Sequence, residues 1–109
     1  YILTADKAML NELGYEVLLA GGGKEALRVF EENKDRIKLL ILDLIMPDLG
    51  GEIVYDRVKA LKPDIRVILS SGYSIEGQAE SILKKGCDGF IQKPYNLNQL
   101  AGKIEEILS

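Results

Sequence analysis

At 109 residues and 47% hydrophobic, the chain is long enough to enclose one core and too apolar for a disordered segment, so it reads as a single domain over 1–109. A net charge of -3 with no Lys/Arg run argues against nucleic-acid binding, and no apolar stretch approaches membrane-spanning length. The absence of histidine excludes a Ser-His-Asp triad, a histidine zinc site or a phosphohistidine within this sequence, and the lone Cys87 suits a reducing, cytoplasmic setting.

Ile2, Ala5, Met9 and Leu13 recur at helical spacing and Gly14 supplies a stop, so the chain is expected to open on a helix. Residues 15–20 (YEVLLA) predict a strand and Gly21-Gly22-Gly23 a turn. A helix over 24–33 follows, with Ala26, Leu27 and Phe30 inward. Leu39 to Leu42 is a continuous apolar run, the pattern of a parallel strand covered on both faces, and it ends at Asp43. Pro47, Gly50 and Gly51 break the chain into a loop before a helix over 52–61, with Ile53, Val54, Val58 and Leu61 on one face. After a turn at Pro63-Asp64, residues 65–69 (IRVIL) form another buried strand that closes on Ser70-Ser71-Gly72. A helix over 75–85 carries Ile75, Ala79, Ile82 and Leu83, and Gly86 caps it. A short strand at 89–92 leads to Lys93-Pro94, and the last helix, 97–108, has Asn96 as its N-cap.

Strands and helices that alternate at this spacing give a doubly wound parallel α/β sheet, whose functional crevice lies at the carboxyl ends of the strands. Three strands end there in useful side chains: Asp43, then Ser70 or Ser71, then Lys93. A carboxylate can act as a nucleophile and form an acyl phosphate, a hydroxyl can bond a phosphoryl oxygen, and a lysine can neutralise its charge. Taken singly, each has a plainer reading, as a cap, a turn residue or a solvated lysine. Together, at consecutive strand ends, they point to phosphoryl chemistry.

The segment Leu42-Asp43-Leu44-Ile45-Met46-Pro47, with Gly51 eight residues after the aspartate, resembles the phosphoacceptor segment of the response-regulator receiver family. Gly14-Tyr15-Glu16-Val17, Glu25-Ala26-Leu27, Gly86-Cys87-Asp88-Gly89-Phe90 and Gln92-Lys93-Pro94 resemble further signatures of that family, over the full length of the chain. The resemblance implies a flavodoxin-like fold of strand order 2-1-3-4-5. It makes Asp43 the phosphorylated residue, Ser71 the switch hydroxyl, Phe90 the switch aromatic and Lys93 the phosphate-pairing lysine, joined to Pro94 by a cis bond.

The same resemblance implies Mg²⁺, held by Asp43, the Ile45 carbonyl and an acidic pair that ends the family's first strand. That strand and its acids are expected to be absent here, leaving the domain incomplete at its N-terminus, with Asp6 and Asp48 as substitutes that are better read as surface and turn residues. A missing central strand would expose two edges, which dimerisation or strand exchange would cover.

The implied function is a phosphoacceptor in a two-component phosphorelay, a switch rather than a conventional enzyme. A partner histidine kinase or phosphotransfer protein supplies the phosphoryl group, and the surface of the 75–85 helix, the 89–92 strand and the 97–108 helix responds. The domain stands alone or forms the tail of a hybrid histidine kinase, binding neither nucleic acid nor membrane. Ile45 and Tyr73, two residues past Asp43 and Ser71, are poor at orienting a water, so slow self-dephosphorylation is expected. The alternative is a non-phosphorylated pseudo-receiver that acts as a protein-interaction module. Gly21-Gly22-Gly23 lacks the Lys-Ser/Thr of a P-loop, which weakens any nucleotide-binding reading.

Overall fold

Five parallel strands form one sheet: β1 (Ile2–Thr4), β2 (Val17–Leu19), β3 (Leu39–Asp43), β4 (Arg66–Ser71) and β5 (Gly89–Gln92), in the order β2-β1-β3-β4-β5. The computed structural model describes residues 1–4, 12–44, 48–72 and 78–108. The doubly wound order agrees with expectation.

The opening of the chain does not. Ile2 pairs with Val17 on one side and Leu39 on the other, so the central strand expected to be absent is present as β1. Ile2, Leu3 and Thr4 are all buried. A three-residue strand covered on both faces shows no alternation, and the spacing of Ile2 and Ala5 imitates a helix. The supposed gap is closed, and with it goes the case for strand exchange. The rest of the expected opening helix, 5–11, lies outside the described residues.

Four helices are described: α1 (Gly23–Asn33), α2 (Gly51–Leu61), α3 (Gln78–Lys84) and α4 (Leu97–Leu108). Strand parity divides the core into two layers. Leu3, Leu40, Leu42, Val67 and Leu69 pack with Ala26 and Phe30 of α1, Val54 and Val58 of α2, and Ala79 and Ile82 of α3. On the opposite face Ile2, Leu39, Ile41, Ile68 and Ile91 pack with Leu100, Ile104 and Ile107 of α4.

Local signals account for the start of α4 and the exit from α3. Asn96 and Gln99 form a reciprocal capping box on α4, with Gln99 N donating to Asn96 Oδ1 at 2.8 Å and Asn96 N to Gln99 Oε1 at 2.9 Å. Gly14 and Gly86 have φ of 85° and 101°, the left-handed conformation that ends helices most cheaply at glycine. In α2 the buried stripe is Gly51, Val54, Tyr55 and Val58. Ile53 and Leu61, expected to face inward, are 46% and 39% exposed, because Ile53 falls a residue outside that stripe and Leu61 ends the helix.

Candidate functional site

The carboxyl ends of β3, β4 and β5 place the site. β4 runs through Ser71, two residues beyond the expected end, because the ladder continues on both sides: Asp43 is level with Ser70, and Ser71 with Gln92. Consecutive strand residues face opposite ways. Ser71 therefore shares the face of Leu69 and Phe90, while Ser70 shares that of Ile68 and Ile91.

Lys93 Nζ donates to Asp43 Oδ2 at 2.5 Å, spanning fifty positions of sequence. The backbone fixes both partners close by. Leu44 N donates to the Ser70 carbonyl at 3.0 Å, and Lys93 N donates to the Ser71 carbonyl at 2.7 Å. The Lys93-Pro94 peptide is cis, as the resemblance implies. The Asp43 side chain is 27% exposed, so the carboxylate sits at the mouth of the crevice with its stem in the sheet. Ser71 is buried, and Phe90 is half-buried against the layer that holds α1, α2 and α3. The sheet thus brings Asp43 and Lys93 into contact, with Ser71 and Phe90 together on the opposite face of the sheet.

The loop after β3 is held from two sides. Asp48 Oδ1 accepts from Gly23 N at 2.8 Å and Leu49 N at 2.9 Å, and Oδ2 accepts from Lys24 N at 3.0 Å. The amides of Lys24 and Gly23 hold the Asp48 carboxyl below its ordinary value, against a smaller desolvation effect. This carboxylate caps α1 from another part of the chain, which supports the turn reading over the metal-ligand reading. The approach requires glycine: a Cβ on Gly23 would lie 2.6 Å from Leu49 Cβ. On the other side, a Cβ on Gly51 would lie 2.9 Å from Leu44 Cδ2 and 3.1 Å from Leu44 Cα. Sequence reasoning saw the glycines but not this contact, which joins positions 25 residues apart.

Ile45, Tyr73 and Asp6 lie outside the described residues. Among the described residues no three acidic, histidine or cysteine side chains cluster as a metal site. With β1 in place, Asp6 is the first acid after the central strand in sequence. Also among the described residues, no helix is long and apolar enough to cross a membrane.

The profile of the response regulator receiver domain matches residues 1–105. Sensor kinase CckA of Brucella abortus is 33% identical over 99 residues, which cover 91% of this chain and 10% of that protein. Transcriptional regulatory protein ZraR of Escherichia coli O157:H7 is 32% identical over 104 residues, 94% of this chain and 23% of that protein. The chain therefore spans less than a quarter of either relative's length. The crystal structure of a response regulator receiver domain protein from Clostridium thermocellum matches with a TM-score of 0.91 and 30% identity, over 98% of this chain and 92% of that one. Fold and profile agree, and the chain belongs to the response regulator receiver domain family.

Proposed function

We propose that Asp43 accepts a phosphoryl group from a partner's phosphohistidine, carried by a histidine kinase or phosphotransfer protein, and that the domain relays this event as a change of surface. The observation that carries the reading is the Lys93–Asp43 pair at the ends of β5 and β3. A lysine on the acceptor carboxylate can follow the charge onto the incoming phosphoryl oxygens. Phosphorylation adds up to about two negative charges at the crevice, and Ser71 is the buried strand-end hydroxyl on the α1–α3 side to answer it. Phe90 shares that face, so a shift of Ser71 is passed to the α3, β5 and α4 surface.

The hard oxygen donors at the crevice suit Mg²⁺. The residues that would hold it are Asp43, the Ile45 carbonyl and Asp6, and the ion would neutralise charge on the phosphoryl oxygens. Asp48 is left out because its oxygens serve the start of α1. The similarity to both a sensor kinase and a transcriptional regulator leaves two settings open, a hybrid-kinase tail and a regulator, each in the cytoplasm.

The test is intact mass after addition of a small-molecule phosphodonor and Mg²⁺. One added phosphoryl group in the parent and none in Asp43→Asn is expected. No addition in the parent would replace this reading with that of a pseudo-receiver that acts through protein contacts alone.

A further inference from the structure

Ser70 has no task in the phosphoacceptor reading, and its surroundings suggest one. The residue is 2% exposed, and its Oγ has no hydrogen-bond partner among the described residues. Buried hydroxyls are nearly always paired, because a dry one forfeits its bonds to water with nothing in return. An alanine would fill the same place in the sheet without that cost. A hydroxyl at this position makes sense if it gains a partner in another state of the site.

Its location narrows what that partner is. Ser70 is level with Asp43 on one side and Ile91 on the other. Partners in register on adjacent strands present their side chains to the same face, about 5 Å apart. The Ser70 hydroxyl and the Asp43 carboxyl group therefore stand on the same face of neighbouring strands. The floor beneath them is apolar, built from Ile41, Ile68, Ile91 and Leu100. Ser71 faces the other way, so the two serines serve different sides of the sheet.

We propose that Ser70 donates a hydrogen bond to the Asp43 carboxyl group as the phosphoryl group leaves, and so shortens the life of the acyl phosphate. The inference rests on the phosphoacceptor reading of Asp43. In hydrolysis a water oxygen bonds to phosphorus, and the bond from phosphorus to the Asp43 oxygen breaks. Its electron pair returns to Asp43 as carboxylate, hydrogen phosphate departs, and one proton is released to solvent. Negative charge grows on the carboxyl oxygens along this path. A hydroxyl bonds a carboxylate more strongly than the neutral carbonyl of an acyl phosphate, so the donor favours the transition state over the phosphorylated ground state. The dry floor strengthens that preference. Lys93 covers Asp43 in the unphosphorylated chain, and its move to the phosphoryl oxygens opens the carboxyl group to Ser70.

The experiment compares the parent, Ser70→Ala and Ser70→Thr. Each is phosphorylated with a small-molecule donor and Mg²⁺, the donor is removed, and the remaining acyl phosphate is followed by intact mass beside a thermal melt. Ser70→Ala is expected to keep its phosphoryl group about tenfold longer, the scale of one hydrogen bond to a charged group, and to melt no lower than the parent. Ser70→Thr, which keeps the hydroxyl, is expected to decay close to the parent's rate. Equal lifetimes in Ser70→Ala and the parent overturn the inference whatever the melt shows. A lower melt with equal lifetimes would mean that a buried water satisfies the hydroxyl. Failure of the parent to take up a phosphoryl group removes the phosphoacceptor reading and this inference together. Uptake followed by equal lifetimes removes only the inference.

Discussion

The two ends of the sheet are built from the same residue types and use them in opposite ways. At the amino ends, side chains bind the backbone. Lys62 Nζ reaches the carbonyls of Lys34 and Ile37, both at 2.9 Å, and Lys59 Nζ reaches that of Ile65 at 2.8 Å. Asp88 Oδ2 accepts from Val67 N at 2.8 Å, and Cys87 Sγ donates to the Val67 carbonyl at 3.2 Å. Each contact satisfies a main-chain group at a helix end or at the entry to a strand. At the carboxyl ends the main chain is already served by the ladder, and the lysine and aspartate meet each other instead. A lysine that serves a carbonyl holds a fold together. A lysine that serves a partly exposed carboxylate at a strand end leaves the backbone to the ladder.

The sharpest way to break this comparison is to exchange the effects. Asp88→Ala leaves Val67 N without its acceptor and removes the ion pair with Arg66. It is expected to lower unfolding free energy by about 1–3 kcal/mol, because it orphans a part-buried amide, and to leave phosphoryl uptake on Asp43 unchanged. Lys93→Met is expected to do the reverse, slowing uptake at least tenfold with little change in the urea midpoint. Urea titration and intact mass on the same two variants decide the matter. If Asp88→Ala also loses uptake, the two ends are not separate in function.

The same contrast explains what could be read without coordinates. The carboxyl-end residues were legible because short, buried strands announce themselves as apolar runs, and the residue after each run must lie at the crevice. Asp43 and Lys93 followed from that rule, and the structure joins them. The Ser71 and Phe90 pairing needed the family resemblance, because side-chain parity across strands cannot be counted until the strand ends are known. β4 ran two residues further than its apolar stretch, and only that extension separates Ser70 from Ser71 by face. β1 was misread because three buried residues carry no period of their own. Their neighbours in sequence supplied a helical one. Asp48 was given a turn role, which its bond from Leu49 N fits, but its other two partners are the amides of Gly23 and Lys24 in α1, a contact that no local pattern encodes.

A smaller effect tests whether the loop after β3 depends on that cap. Asp48 is more readily ionised in the folded chain than in the unfolded one, so its contribution is present above the ordinary value of 3.8 and disappears as pH falls through the lower folded value. Asp48→Asn keeps an acceptor but loses the charge. Its melting temperature is expected to lie below the parent's at neutral pH, and the two curves should converge from about pH 4 downward. Parallel curves across that window would show that the charge contributes nothing to the cap.

The smallest expected effect comes from a second lysine–carboxylate cluster, away from the crevice. Lys85 Nζ lies 2.8 Å from Glu52 Oε2 and 3.0 Å from Asp56 Oδ1, and Ser81 Oγ donates to Glu52 Oε2 at 2.8 Å. These contacts tie the α3 end of the chain to the first turns of α2. The Lys85 and Ser81 bonds hold the Glu52 carboxyl below its ordinary value, and the Glu52 and Asp56 bonds push Lys85 above its own. Both shifts favour the charged pair across neutral pH, yet the side chains of Lys85 and Asp56 are 40% and 55% exposed, and salt screens such contacts strongly. Lys85→Met is therefore expected to lower the melting temperature slightly in low salt and not at all in about 1 M salt, where the screening length is about 3 Å. It is also expected to leave phosphoryl uptake unchanged. This cluster and the Lys93–Asp43 pair are both lysine–carboxylate contacts. What separates them is the setting, since Asp43 ends a buried strand beside two buried serines, and Glu52 and Asp56 lie on a helix surface. A loss of uptake in Lys85→Met would mean that the α2–α3 tie, and not the strand ends alone, positions the acceptor.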